Sequence, residues 1–147
     1  MRLIPVLLLF LLAFSCGAPS GDNAPAAEED TGTFQAARVN GKWTADPSTA
    51  EELRGLHYTI ENFTLLNKKK FENLKAYEEF ALLLRNHVDR INKYNRLGKE
   101  AEQELFLRLE PLKKEIEVIG GSSVEQSRIS LKKINGIMNG IDSLYIY

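Results

Sequence analysis

The stretch AEQELFLRLEPLKKEIEVI, residues 101–119, decides the fold. Ala101, Leu105, Leu109, Leu112, Ile116 and Ile119 recur at intervals of three and four, which places them on one face of a helix. Pro111 stands inside the stretch, yet the stripe keeps its register on both sides. That predicts one kinked helix, not two separate ones. Gly120, Gly121, Ser122 and Ser123 then stop it.

Similar stripes lie on either side. Downstream, Ser122 or Ser123 is set to cap a helix, with Glu125 or Gln126 placed to answer, and Val124, Leu131, Ile134, Met138, Ile141 and Tyr145 form its apolar face. Upstream, Leu74, Tyr77, Phe80, Ala81, Leu84, Val88 and Ile91 mark another helix, fraying near 94–98 with Gly98 as its terminator. A first helix opens at Asp46-Pro47, a favoured cap before a proline, and Ser48 with Glu51 or Thr49 with Glu52 fits a capping box. Its stripe is Leu53, Leu56, Ile60 and Phe63. The rhythm then lands on Asn67 and Lys70, which predicts a turn around residues 66–71; one very long helix is the alternative. Asn40-Gly41 is a turn signal ahead of Trp43, and Phe34, Val39 and Trp43 are expected to cover one end of the helices. Little in the sequence reads as strand.

Four amphipathic helices with short connections predict an all-α domain over residues 34–147, an antiparallel up-and-down four-helix bundle. About 110 residues suffice for one core and not for two.

The chain ahead of it has a different character. Arg2 precedes an apolar run from Leu3 to Phe14, too short for the roughly 20 residues a membrane span needs, so residues 1–15 read as a cleaved signal peptide. Cys16 is the single cysteine of the chain and closes the run after Ala13, Phe14 and Ser15, with Gly17 following. These residues resemble the lipobox of bacterial lipoproteins, in which the cysteine carries a diacylglyceryl group and becomes the new N-terminus. The resemblance implies a lipid anchor, and several acyl chains hold a protein on a bilayer far better than one. Gly17, rather than Asp, after the cysteine points to the outer membrane, facing the periplasm. Residues 16–33 then supply the lipidated Cys and a tether without large apolar residues, which cannot offset its ordering entropy. A flexible chain of that length spans on the order of 20 Å.

Charge narrows the function. The net charge of −1 becomes −2 without Arg2, so no basic field for nucleic acid exists. No nucleophile and base pair can be named, no Glu-x-x-His or His-x-x-x-His occurs, and neither an enzyme nor a resident cofactor is expected. His57 and His87 border the first two stripes; with Met138 they are the residues on which a haem or metal site would rest, the alternative reading. Lys68, Lys69 and Lys70 form a basic run suited to the dipole at the end of the first helix or to anionic head groups. Gly136 and Gly140, one turn apart, together forgo about 2 kcal/mol of helix propensity, which predicts a close helix contact within the domain or with a partner. Trp43 is an isolated aromatic that a ligand or partner would find.

Gly41-Lys42-Trp43 ahead of the first helix and Leu109-Glu110-Pro111-Leu112 in the third resemble a group of exported bacterial helix-bundle proteins without an assigned activity. That resemblance implies the bundle fold. Members carry Cys, Met and two His between helices two and three, where this chain has Asn95, Leu97, Glu102 and Phe106, so their soft-metal site does not carry over. The expected function is a noncatalytic binding or interaction module, held to the membrane by its lipid and open to an envelope protein partner.

Overall fold

Asp46 starts the first helix. In the computed structural model, which describes residues 34–66 and 72–147, its carboxylate is 1% exposed and accepts from the backbone N–H groups of Ser48 and Thr49. It also takes the Thr49 hydroxyl at 2.5 Å and the backbone N–H of Arg96 at 3.2 Å. One buried carboxylate therefore caps a helix and ties down a distant loop. Glu52, expected in a capping box, turns instead to the neighbouring helix.

The elements run β1 (Arg38–Val39), β2 (Lys42–Thr44), α1 (Pro47–Leu66), α2 (Leu74–Tyr94), α3 (Lys99–Gly121), α4 (Val124–Leu144) and β3 (Tyr145–Ile146). α1 ends at Leu66 and α2 begins at Leu74; residues 67–71, where most of the expected turn falls, lie outside the described residues. α3 runs through Pro111 as a single helix. α4 opens with the capping box on Ser123 and Gln126. Gly98 departs from expectation: it precedes α3 as its N-cap at φ −64°, while Asn95 closes α2 by donating its backbone N–H to the Ile91 carbonyl. A φ of that value is open to any residue, so the glycine is not needed as a left-handed terminator.

Consecutive helices run in opposite directions. Gly55 of α1 meets His87 of α2, and further along α1 the Phe63 ring stacks on Phe80 with centroids 4.1 Å apart. Ala81 of α2 packs on Gly120 of α3. Between α3 and α4, Ser127 donates to the Ile119 carbonyl at 3.2 Å, and Ser130 and Lys133 both reach Glu115, at 2.7 and 3.0 Å. The predicted stripes meet inside: Leu53, Leu56, Tyr77, Leu84, Leu105, Leu109, Leu112, Ile119, Ile134 and Ile141 are fully buried. Each such leucine or isoleucine contributes about 1.5–3 kcal/mol over an exposed position.

Strands, which the sequence hardly advertised, close one end. Asn40 and Gly41 both have positive φ, 52° and 80°, as the two central residues of a tight hairpin between β1 and β2 require. β3 then joins β2 in parallel, pairing Trp43 with Tyr145 and Thr44 with Ile146. Short strands without alternating patterning leave no periodic signal, and β3 continues directly from α4. Of the residues expected to cover this end, Trp43 is buried and Phe34 packs on the core, but Val39 is 44% exposed.

One seam stays open. The consecutive helices pack closely, whereas α1 and α4 pack far less on each other, although closing the bundle would require it. Two cavities lie along this seam. One of about 650 Å³ is at the sheet end; one of about 570 Å³ lies between Thr64 of α1 and the first half of α4. No helix among the described residues is long and apolar enough to cross a membrane.

Candidate functional groove

The groove at the sheet end is built from four elements. α1 contributes Arg54, His57, Tyr58 and Glu61; β2 contributes Lys42; α4 contributes Asp142; β3 and the residue after it contribute Tyr145, Ile146 and Tyr147. Helical spacing explains the first set. Positions 54, 58 and 61 fall on one face, one and two turns apart, outside the buried stripe of Leu53, Leu56 and Ile60.

Asp142 organises the floor. Its Oδ1 lies 2.7 Å from His57 Nε2 and also accepts the Tyr147 hydroxyl, while its main-chain carbonyl accepts from Lys42 Nζ at 2.7 Å. The Tyr147 ring tilts against the imidazole at 5.9 Å. Burial pushes the Tyr147 phenol up from its ordinary range, and the bond to the Asp142 carboxylate pushes it further the same way. Tyr145 is fixed below: its ring is buried and its hydroxyl donates to the Ala101 carbonyl on α3. Burial, and then the nearby Glu104 charge, push this phenol up as well.

The upper wall is unspent. Arg54 and Glu61 form no ion pair among the described residues, and the Tyr58 ring is 69% exposed. The groove thus has a settled floor and, on α1, a positive group, an aromatic face and a negative group in sequence. Chemically it can pair with charge at both ends and cover an apolar surface between them.

The residues singled out by sequence are placed elsewhere, with one exception. His57 is in the groove. His87 lies on the other side of α1, its ring over Gly55, where Nδ1 meets Glu52 Oε2 at 2.6 Å and Nε2 meets the Thr59 hydroxyl at 3.4 Å. Arg90 Nε holds the second Glu52 oxygen at 2.6 Å. Burial pushes Glu52 up, but the bonds from Arg90 and His87 outweigh it and hold the carboxyl below its ordinary value. Met138 is buried in the core. The two histidines are therefore turned to different neighbours, and among the described residues no group of three or more His, Cys, Asp or Glu could hold a metal ion.

Trp43 is 8% exposed, so it serves as a lid and not as an open contact. Its Nε1 donates to Glu104 at 3.0 Å, and the Arg38 guanidinium covers its ring at 4.3 Å while pairing with Glu104 at 2.7 Å. Gly136 and Gly140 overturn the expected close contact inside the domain. A Cβ at Gly136 would meet nothing within 4 Å of the described residues, and one at Gly140 only the Arg108 guanidinium at 3.7 Å. Gly136 is exposed and Gly140 half-buried. The tight approaches are at Gly55, which the sequence does not single out, and at Gly120, expected to stop α3 but lying within it. Cys16 and Lys68, Lys69 and Lys70 lie outside the described residues.

Asp142, Tyr147, Lys42, Arg54, Tyr58 and Glu61 were missed for a common reason. The i, i+4, i+7 spacing of Arg54, Tyr58 and Glu61 was visible, but polar positions of that kind read as solvated face until α4 and β3 are known to lie beside them. The chain matches no family model, no curated protein and no solved structure.

Proposed function

We propose that this chain is a noncatalytic binding module of the bacterial cell envelope, anchored by a lipid on Cys16 and facing the periplasm from the outer membrane. Its ligand sits in the groove between α1, β3 and the end of α4. The observation that supports this reading is the open seam itself, where Arg54, Tyr58 and Glu61 line a concavity of about 650 Å³ and neither Arg54 nor Glu61 has an ion-pair partner among the described residues. The groove is shallow and open, a shape suited to a ligand lying along the surface of α1. Among the described residues no serine, threonine or cysteine lines the groove, so no hydroxyl or thiol nucleophile stands beside the His57–Asp142 pair there.

A photo-crosslinking residue placed at position 58 and, as a control, at the exposed Leu107 of α3 tests the reading in intact envelopes. Adducts are expected from position 58 and not from 107. Equal labelling, or none at 58, would remove the groove as the binding face. The anchor is tested separately: Cys16→Ser is expected to release the protein or leave it uncleaved, and normal processing with membrane retention would overturn lipidation.

A further inference from the structure

Resting on the groove reading, we infer that the ligand is a short peptide of about three residues with a free carboxylate and a free amino group, lying along α1. Its carboxylate meets Arg54 beside Lys42, its middle covers Tyr58, and its amino group meets Glu61.

The spacing sets the length. Arg54 and Glu61 are seven residues apart on one face, so at 1.5 Å per residue their anchor points are separated by about 10 Å. An extended peptide advances 3.3–3.6 Å per residue, and three residues bridge that distance. The direction follows from charge. Arg54 presents a planar fork suited to a carboxylate, and Lys42, from the strand leading into the start of α1, adds a second positive charge whose bond goes to a neutral carbonyl. Glu61 stands alone at the other end, without a cation among the described residues.

The floor agrees with this polarity. Asp142 would repel a carboxylate if it were free, but its Oδ1 already faces His57 and the Tyr147 hydroxyl. Between the charged ends, the Tyr58 ring and the exposed Ile146 offer apolar surface of the kind a peptide side chain covers. A purely anionic ligand would leave Glu61 unanswered, and a cation would face Arg54 and Lys42.

Isothermal titration of the full-length protein in detergent tests this with four probes: trialanine, Ala-Phe-Ala, trialanine amide and N-acetyl-trialanine. Trialanine is expected to saturate, and Ala-Phe-Ala to bind more tightly through Tyr58. Losing one charge-assisted contact is expected to weaken binding about tenfold. Amidation and Arg54→Gln should each cause that loss and should not add to one another; acetylation and Glu61→Gln should behave likewise. Both variants alter exposed side chains, and circular dichroism checks that they remain folded. Blocked peptides binding as tightly as free ones, or no saturation by trialanine and Ala-Phe-Ala at about 10 mM with folded protein, would overturn the peptide assignment. If position 58 still crosslinks in envelopes under that outcome, the binding module stands and only the ligand class falls; if it does not, both fall.

Discussion

Gly55 of α1 and the His87 ring of α2 occupy one space: a Cβ at Gly55 would lie 2.4 Å from His87 Cε1 and 2.7 Å from Nδ1. The absent side chain lets the imidazole lie on the helix backbone and reach Glu52 on the preceding turn. Ordinary helix propensity argues the opposite, since alanine gains about 1 kcal/mol over glycine in a helix interior. Gly55→Ala is expected to lower stability all the same, because overpacking costs about 1–3 kcal/mol and displaces His87 from Glu52. In a His87→Ala background the same substitution is expected to be neutral or stabilising. Chemical denaturation of the four members of this cycle measures the coupling, and a loss of equal size in both backgrounds would remove it.

The two glycines of α4 behave differently. Gly136 and Gly140 have open space or an ordinary contact where a Cβ would go, so Gly136→Ala and Gly140→Ala are each expected to raise stability by up to about 1 kcal/mol. Thermal unfolding reads the gain directly. A drop for either variant would show a packing role that the geometry lacks.

This contrast marks how far the sequence was legible. Apolar period fixed the helices well, because Leu105, Leu109 and Leu112 each enforce a face whatever they pack against. Asp46-Pro47 and Ser123 with Gln126 were readable as starts, since capping is local chemistry. A glycine's neighbour is not local. Gly55 and Gly136 look alike in sequence, and only the position of α2 distinguishes a steric requirement from an unneeded loss of propensity. The groove was hidden in the same way, because Arg54 and Glu61 become a site only through where α4 ends.

Glu52 gives an acid-side prediction. Its carboxyl is held below the ordinary value near 4.5, burial opposing and the bonds from Arg90 and His87 prevailing. A depressed folded value means that the carboxylate contributes full stability above the unfolded value and loses it as pH falls through the folded one. Glu52→Gln is therefore expected to destabilise the protein at neutral pH and to flatten the fall in stability below about pH 4.5. Urea midpoints between pH 3 and 7 measure both effects, and parallel curves for the two proteins would contradict the assignment.

Asp46 couples the start of α1 to the loop before α3. Asp46→Ala removes a cap worth about 0.5–2 kcal/mol and also strands the Arg96 N–H, so a loss toward or beyond the top of that range is expected. Asp46→Asn keeps one acceptor oxygen and should lose less. Amide hydrogen exchange locates the damage: protection is expected to fall at Ser48, Thr49 and Arg96 together, and a change confined to α1 would show that the loop is held by other contacts.

Tyr147 reports on the groove floor. Its phenol is raised first by burial and then by the hydrogen bond and charge of Asp142, since ionising it would break a donated bond and place two negative groups side by side. Asp142→Asn keeps an acceptor oxygen but removes the charge. The Tyr147 titration is therefore expected to move down toward the ordinary tyrosine range while staying above it, because burial persists. His57, facing the same oxygen, should lose its carboxylate partner in the same variant, so the ring resonances of both residues should respond together. Carbon-13 detection of the tyrosine ring separates Tyr147 from the other four tyrosines of the chain. An unmoved Tyr147 titration in Asp142→Asn would mean that Asp142 does not organise the floor, and the polarity assigned to the peptide would lose its support at the carboxylate end.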